Sequence, residues 1–271
     1  MKTIKFAGIL LTILSLSFKL MAQQAEQLVV PLNDPGKPYT LVVDLVFGSV
    51  KVNSYDGKDI IIEVQSGGGR REENDRKTGM KRISGSGRMD IMAQEKNNRV
   101  NVSSGMPQKQ ANLMIRIPVG IANLKVSTVN NGDIWVSNIN GDMEIVNVNG
   151  NIKLDEVSGA VVANTINGNV AVTFKNIDPK AAMAFTTLNG NINVTFPPAL
   201  KANVKLKSDR GDIFSDFDIV SEKSQTKINK SKKDGVYQLT IDETVYGKIG
   251  GGGPEILMKN MNGNIYLHKA K

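Results

Sequence analysis

NGDIWVSNI (131–139), NGDMEIVNV (140–148), NGNIKLDEV (149–157), SGAVVANTI (158–166) and NGNVAVTF (167–174) follow one another without a gap. The glycines from Gly132 to Gly168 are therefore spaced nine residues apart. Two residues after each stands an aliphatic side chain or Met, and four residues after it another aliphatic or Ala. The same spacing starts at Gly48, Gly190, Gly211 and Gly263, with only Ser215 breaking it. A fixed period is the signature of a repeat architecture. The first two apolar positions are two apart and share one face of a strand. The third, at Ile139, Val148, Val157 and Ile166, comes three further on. Alternation slips there, so the chain must bend if all three are to face inward. The Asn-Gly pair supplies a second bend, since both residues tolerate positive φ.

Two architectures fit this pattern. In a β-solenoid, two nine-residue halves make one coil, and coils stack at ~4.8 Å. Asn131, Asn149 and Asn167 then lie above one another, with their amides hydrogen-bonded along the stack. An antiparallel meander with Asn-Gly hairpins accounts for the turns but not for the repeated slip. The expected fold is all-β: a single-domain parallel β-solenoid with polar loop insertions, Ile152 pointing inward and Lys153 outward.

Flanking segments extend the reading. Leu41, Val43, Leu45 and Phe47 alternate along a strand, and further strands are expected at 60–64, 88–94, 99–103 and 112–118. Ser66 to Arg88 is rich in Gly, Ser and charge and reads as a loop insertion; Ser221 to Gly235 reads as a second. Neither holds enough apolar surface to offset its ordering entropy. Residues 1–22 have the layout of a secretory signal peptide. Lys2 and Lys5 precede an apolar run, and Ala22 ends it. Cleavage there leaves a domain over 23–271 that is exported to the periplasm, outer surface or medium. The chain has no cysteine, which excludes disulfides, thiolate metal sites and a lipid-modified Cys at the cleavage point. Losing Lys2, Lys5 and Lys19 with the leader lowers the formal charge from +8 to +5. The remaining bases cluster in the two insertions. One holds Arg70, Arg71, Lys77, Lys81, Arg82 and Arg88; the other holds Lys223, Lys227, Lys230, Lys232 and Lys233. They are either solvated charge or a contact for anionic glycan, lipopolysaccharide or a membrane surface. Nucleic acid is not expected, because no aromatic residues are interleaved with them.

The Gly-Asp/Asn-Ile repeats, Phe47-Gly48-Ser49-Val50-Lys51-Val52, Ile115-Arg116-Ile117-Pro118 and the closing Gly250 to Gly253 and Asn262-Gly263-Asn264-Ile265 resemble the bacterial putative-adhesin family. That is a domain of unknown function expected to form a β-solenoid. The resemblance covers nearly the whole mature chain. It implies an architecture and no catalytic residues, and the insertion at 66–88 departs from its compact repeat.

A search for chemistry yields little. The one histidine, His268, excludes a multi-His metal site and makes a catalytic triad a poor fit. Calcium-binding nonapeptide rolls carry G-G-x-G-x-D units. Here each unit has one glycine, and its acid, Asp133 or Asp142, becomes Asn151, Ala160 and Asn169 elsewhere. Asp155-Glu156 and Asp242-Glu243 are adjacent acids, which on a strand face opposite ways. Arg210-Gly211-Asp212 spells an integrin tripeptide but is also one more repeat copy. Trp135 is outward by phase, where it either stacks on a sugar or lies under a loop. No catalytic, cofactor or metal residue is assigned. The expected function is a non-enzymatic adhesin or glycan-binding module of the cell envelope. A scaffold that binds another envelope protein is the alternative, and a carbohydrate-active enzyme a remote one.

Overall fold

The computed structural model describes residues 27–66, 90–222, 227–233, 236–242 and 244–271. They form twenty-three strands and no helix. Sixteen strands pair off as two-strand coils. β2 (Tyr39–Phe47) leads into β3 (Val50–Tyr55), β6 (Arg99–Ser104) into β7 (Ala111–Pro118), and β8 (Ile121–Asn130) into β9 (Ile134–Ser137). β10 (Asp142–Asn147) leads into β11 (Ile152–Ser158), β12 (Val161–Asn167) into β13 (Val170–Asn176), and β14 (Met183–Asn189) into β15 (Ile192–Phe196). The last two coils are β16 (Ala202–Arg210) with β17 (Ile213–Ser215), and β22 (Glu255–Asn262) with β23 (Ile265–Lys269). The other strands are β1 (Gln27–Pro31), β4 (Asp59–Ser66), β5 (Ile91–Lys96), β18 (Val220–Glu222), β19 (Lys227–Lys233), β20 (Val236–Asp242) and β21 (Val245–Ile249).

Sheet I runs β1-β4-β7-β3-β9-β11-β13-β15-β23-β17, and sheet II runs β18-β21-β16-β22-β14-β12-β10-β8-β2-β6-β5. From β7 to β17 and from β16 to β6 every pairing is parallel. This is the stacked-coil arrangement and not the hairpin meander. The expectation of a strictly parallel solenoid needs correction, because both sheets are mixed. β1, β4 and β5 pair antiparallel at one end, β18 and β21 at the other. An end coil presents unpaired N–H and C=O groups, and an antiparallel strand covers them. The coils also do not stack in chain order. β6/β7 lies outside β2/β3, and the C-terminal β22/β23 is inserted between β14/β15 and β16/β17. The second insertion is not a loop throughout, since β19 and β20 form a separate hairpin with Lys233 opposite Val236.

Between the sheets lies one apolar core. Ile152 and Leu154 face it, while Lys153 is exposed. Phe174, Phe185 and Phe196 form its aromatic centre, Phe174 and Phe196 stacking at 5.1 Å. The phase slip is real in half of the units. Asn138 (φ 55°) and Glu156 (φ 53°) each spend one residue in the left-handed region, which turns Ile139 and Val157 inward. β10 and β12 contain no such residue, so Val148 is half-buried and Ile166 exposed on the outer surface. Inward positions there carry Asn147 and Thr165 instead, and both donate to a carbonyl of the glycine column: Asn147 Nδ2 to Gly132 O at 2.8 Å, Thr165 Oγ1 to Gly150 O at 3.0 Å.

The repeat glycines serve close approach more than turning. Gly150 and Gly168 lie outside the positive-φ region, yet a Cβ on Gly168 would stand 2.0 Å from Gly150 O. The asparagine ladder forms, with Asn130 rather than Asn131 at its start. Asn149 Nδ2 donates to Asn130 Oδ1 (3.0 Å), Asn167 to Asn149 (2.8 Å), Asn189 to Asn167 (2.7 Å) and Asn262 to Asn189 (2.7 Å). Asn131 takes φ 52° and so leaves the row.

Candidate binding face

On the strands of sheet I, the residues three beyond the repeat glycines point away from the core. The register places them in one row across consecutive strands: Lys51 beside Trp135, then Lys153, Ala171, Asn193, Tyr266 and Phe214. Trp135 is half-buried and outward, with the Lys51 ammonium 4.8 Å over its ring. Such a cation–π contact holds the indole upright between two bases. At the far end Phe214 stacks on Tyr266, centroids 5.1 Å apart and planes 10° apart, and Tyr266 lies parallel to His268 at 6.0 Å. Phe214 is 48% exposed and sits on the last strand of the sheet.

Between these bulky ends the row shortens. Ala171 and Asn193, with Thr173 and Thr195 in the next row, floor a shallow trough over β13 and β15. Lys153 and Trp135 wall it on one side, and Tyr266 and His268 on the other. The trough offers aromatic faces, hydroxyls, an amide and ammonium groups, a set suited to an extended polar polymer. His268 Nδ1 lies 3.1 Å from Asp216 Oδ2. That bond, then the Lys269 backbone N–H, holds the Asp216 carboxyl below its ordinary range.

The other residues singled out in the sequence fall elsewhere. Asp133 Oδ1 accepts from the backbone and side chain of Asn151, and Asp142 Oδ1 from Ala160 N–H. Both carboxylates thus serve the stack. Asp155 and Glu156 are both exposed, against the expectation of opposite faces, because Glu156 occupies the left-handed bulge. Arg210-Gly211-Asp212 is a repeat copy: Arg210 reaches the end of the ladder at Asn262 Oδ1 (3.5 Å), and Asp212 N–H donates to Asn264 Oδ1 (2.9 Å). No group of three His, Asp or Glu able to hold a metal ion occurs among the described residues. The basic cluster at 70–88, Lys223 and Glu243 lie outside the described residues, as does the leader. No helix among the described residues is long and apolar enough to cross a membrane.

Phe214 and Tyr266 are the site residues that sequence reasoning missed. Their signal was present, since both occupy the same slot after glycine as Trp135.

The fold and this face define a two-sheet, solenoid-like module with an outward aromatic and basic row on sheet I. Residues 119–250, from the entry of β8 to the end of β21, match the family described as Toastrack DUF4097. This segment is thus similar to a domain of unknown function. No curated protein matches the chain. Among solved structures it is similar to a putative cell adhesion protein from Clostridium sporogenes, with 11% identity, 90% of this chain and 99% of that chain covered, and a TM-score of 0.43. It is also similar to a putative adhesin from Bacteroides fragilis, with 12% identity, 89% and 96% covered, and a TM-score of 0.30.

Proposed function

We propose that this chain is an exported, non-enzymatic envelope module that binds glycan along the outer face of sheet I. In this reading residues 1–22 are removed and 23–271 form the working domain. The observation that supports it is the trough between the Lys51–Trp135–Lys153 cluster and the Phe214–Tyr266–His268 cluster. Aromatic faces take the apolar face of a pyranose ring, Thr and Asn side chains meet its hydroxyls, and the two lysines favour an anionic polymer. Exposed charge contacts are screened beyond ~8 Å at physiological salt, so binding should weaken as salt rises.

The test is affinity gel electrophoresis of the mature chain through polygalacturonate, alginate and neutral dextran, with lipopolysaccharide micelles as a fourth probe. Retardation by the anionic polymers, lost in Trp135→Ala and weakened in Phe214→Ala, is the expected result. Absence of retardation by every probe, or a Trp135→Ala variant that binds like the parent, would overturn the reading. Protease shaving of intact cells tests the location separately. The alternative, a scaffold for another envelope protein, draws on the apolar outer surface of sheet II.

A further inference from the structure

The outer surface of sheet II carries a continuous aliphatic stripe. Val46, Val129, Ile166, Leu188 and Met261 stand on β2, β8, β12, β14 and β22, and Val148 directly follows β10, its N–H donating to Thr128 O; the register of these neighbouring strands aligns all six in one row. Ile166 and Leu188 at its middle are 42 and 43% exposed. Isolated surface aliphatics are ordinary, whereas an unbroken row of six, ~24 Å long at the strand spacing, marks a contact surface. On one side the stripe is bordered by the asparagine ladder, which is neutral and hydrogen-bonded within itself. On the other side the adjoining row reads Asp44, Ser127, Val146, Asn164, Thr186, Lys259. This row is acidic at one end, basic at the other and uncharged between.

We propose that the stripe is covered by a second copy of this chain, packed face to face with its stack running the opposite way. The two-fold axis would lie along the strands, between β10 and β12. It brings Val148 over the partner's Ile166, Val129 over the partner's Leu188, and Val46 over the partner's Met261. Every contact in the row is then apolar. The same rotation carries Asp44 over the partner's Lys259, twice in the dimer. Both are exposed; Asp44 Oδ1 accepts from Ser127 Oγ (2.6 Å), which leaves its other oxygen for the partner. The uncharged middle of the row and the neutral ladder leave no like charges to repel. A partner of other shape would have to match ridges spaced at ~4.8 Å, which a second copy does by construction. The rim holds the Lys125–Glu144 ion pair. The two outer faces of sheet I point away from each other, so the assembly is bivalent toward a polymer, a gain in avidity that needs no new contact.

Sedimentation equilibrium of the mature chain over the micromolar range tests the association without reference to any glycan. A mass rising toward twice that of the chain is expected. The double variant Ile166→Lys/Leu188→Lys should remain monomeric with unchanged circular dichroism. Asp44→Lys and Lys259→Asp should each weaken the dimer, and the two together should restore it. The chain has no cysteine, which permits a direct test of the register. Val46→Cys/Met261→Cys places two thiols five strands apart in one copy, too far to join each other. Mild oxidation should therefore give a covalent dimer from the double variant and from neither single one. A chain that stays monomeric at all concentrations overturns the proposal, and so does a dimer that survives the double lysine variant or yields no such cross-link. A monomer that instead floats with phosphatidylglycerol–phosphatidylethanolamine vesicles assigns the stripe to a membrane surface.

Discussion

Gly150→Ala separates two accounts of the repeat glycine by the sign of its effect. Gly150 lies outside the positive-φ region. If it were only a turn residue, Ala would restrict the unfolded chain and stabilise the protein by ~0.4–1 kcal/mol. The stack predicts the reverse. A Cβ here would stand 2.1 Å from Gly132 O and 2.7 Å from Asn147 Nδ2, whereas ordinary contact begins at 3.4 Å. Relief requires the two coils to part by roughly 1 Å, and no rotamer change provides it, because the obstacle is backbone. Two hydrogen bonds fail at that separation: Asn147 Nδ2 to Gly132 O (2.8 Å) and Ile134 N–H to Asn151 O (2.9 Å). Each buried group left without its partner costs about 1–3 kcal/mol, so the variant should lose roughly 3–5 kcal/mol. In a chain of this size that corresponds to a fall of about 10 °C in Tm. Thermal unfolding followed by circular dichroism reads it directly. A Gly150→Ala protein melting at or above the parent temperature would refute the close-approach argument and return the glycine to a turn role.

Asn147→Thr should raise stability by about 1 kcal/mol, measured by urea unfolding. Asn147 Oδ1 is buried without a partner, while Thr165, in the same slot one coil on, satisfies its hydroxyl on Gly150 O. A lower midpoint for the Thr variant would count against that slot equivalence. In an NMR titration the Asp216 carboxyl should ionise below its ordinary value, and His268→Ala should return it toward that value. A carboxyl so lowered favours the fold above the ordinary carboxylate pKa, and that contribution is lost as pH falls through the lowered one.

Period and face were legible in the sequence. The row of residues three beyond the glycines of sheet I could be written down from Lys51 to Phe214, and the inward pairs such as Ile152 and Leu154 were correctly placed. The third aliphatic was read wrongly at Val148 and Ile166. Whether it turns inward depends on a single left-handed residue before it. Asn138 signals that conformation by its type, Glu156 does not, and the composition of β10 and β12 gives no warning of its absence. Asn130 rather than Asn131 starts the ladder for the same kind of reason: one inserted residue shifts the slot without changing the motif.

The order of the coils was not legible, and the cause lies in the repeat itself. Near-equivalent units present near-equivalent faces, so pairing energy alone barely distinguishes a coil stacked on its chain neighbour from one stacked on another. What breaks the tie is departure from the consensus. At the ladder position, coil β16/β17 has Arg210 where the interior coils have Asn, and Asp209 where they have an aliphatic. A guanidinium donates to the last ladder amide but offers no acceptor to a further Asn, so the row ends there. Solenoid ends require such polar, atypical units. Asn262 in the C-terminal coil both donates and accepts, which suits it to an interior place, and it sits between Asn189 and Arg210. Tyr266 then meets Phe214 in register, and the aromatic end of the candidate site exists only because the last coil was inserted beside the one before it. The out-of-order stacking that hid the topology from the sequence is therefore also what assembles the far wall of the trough.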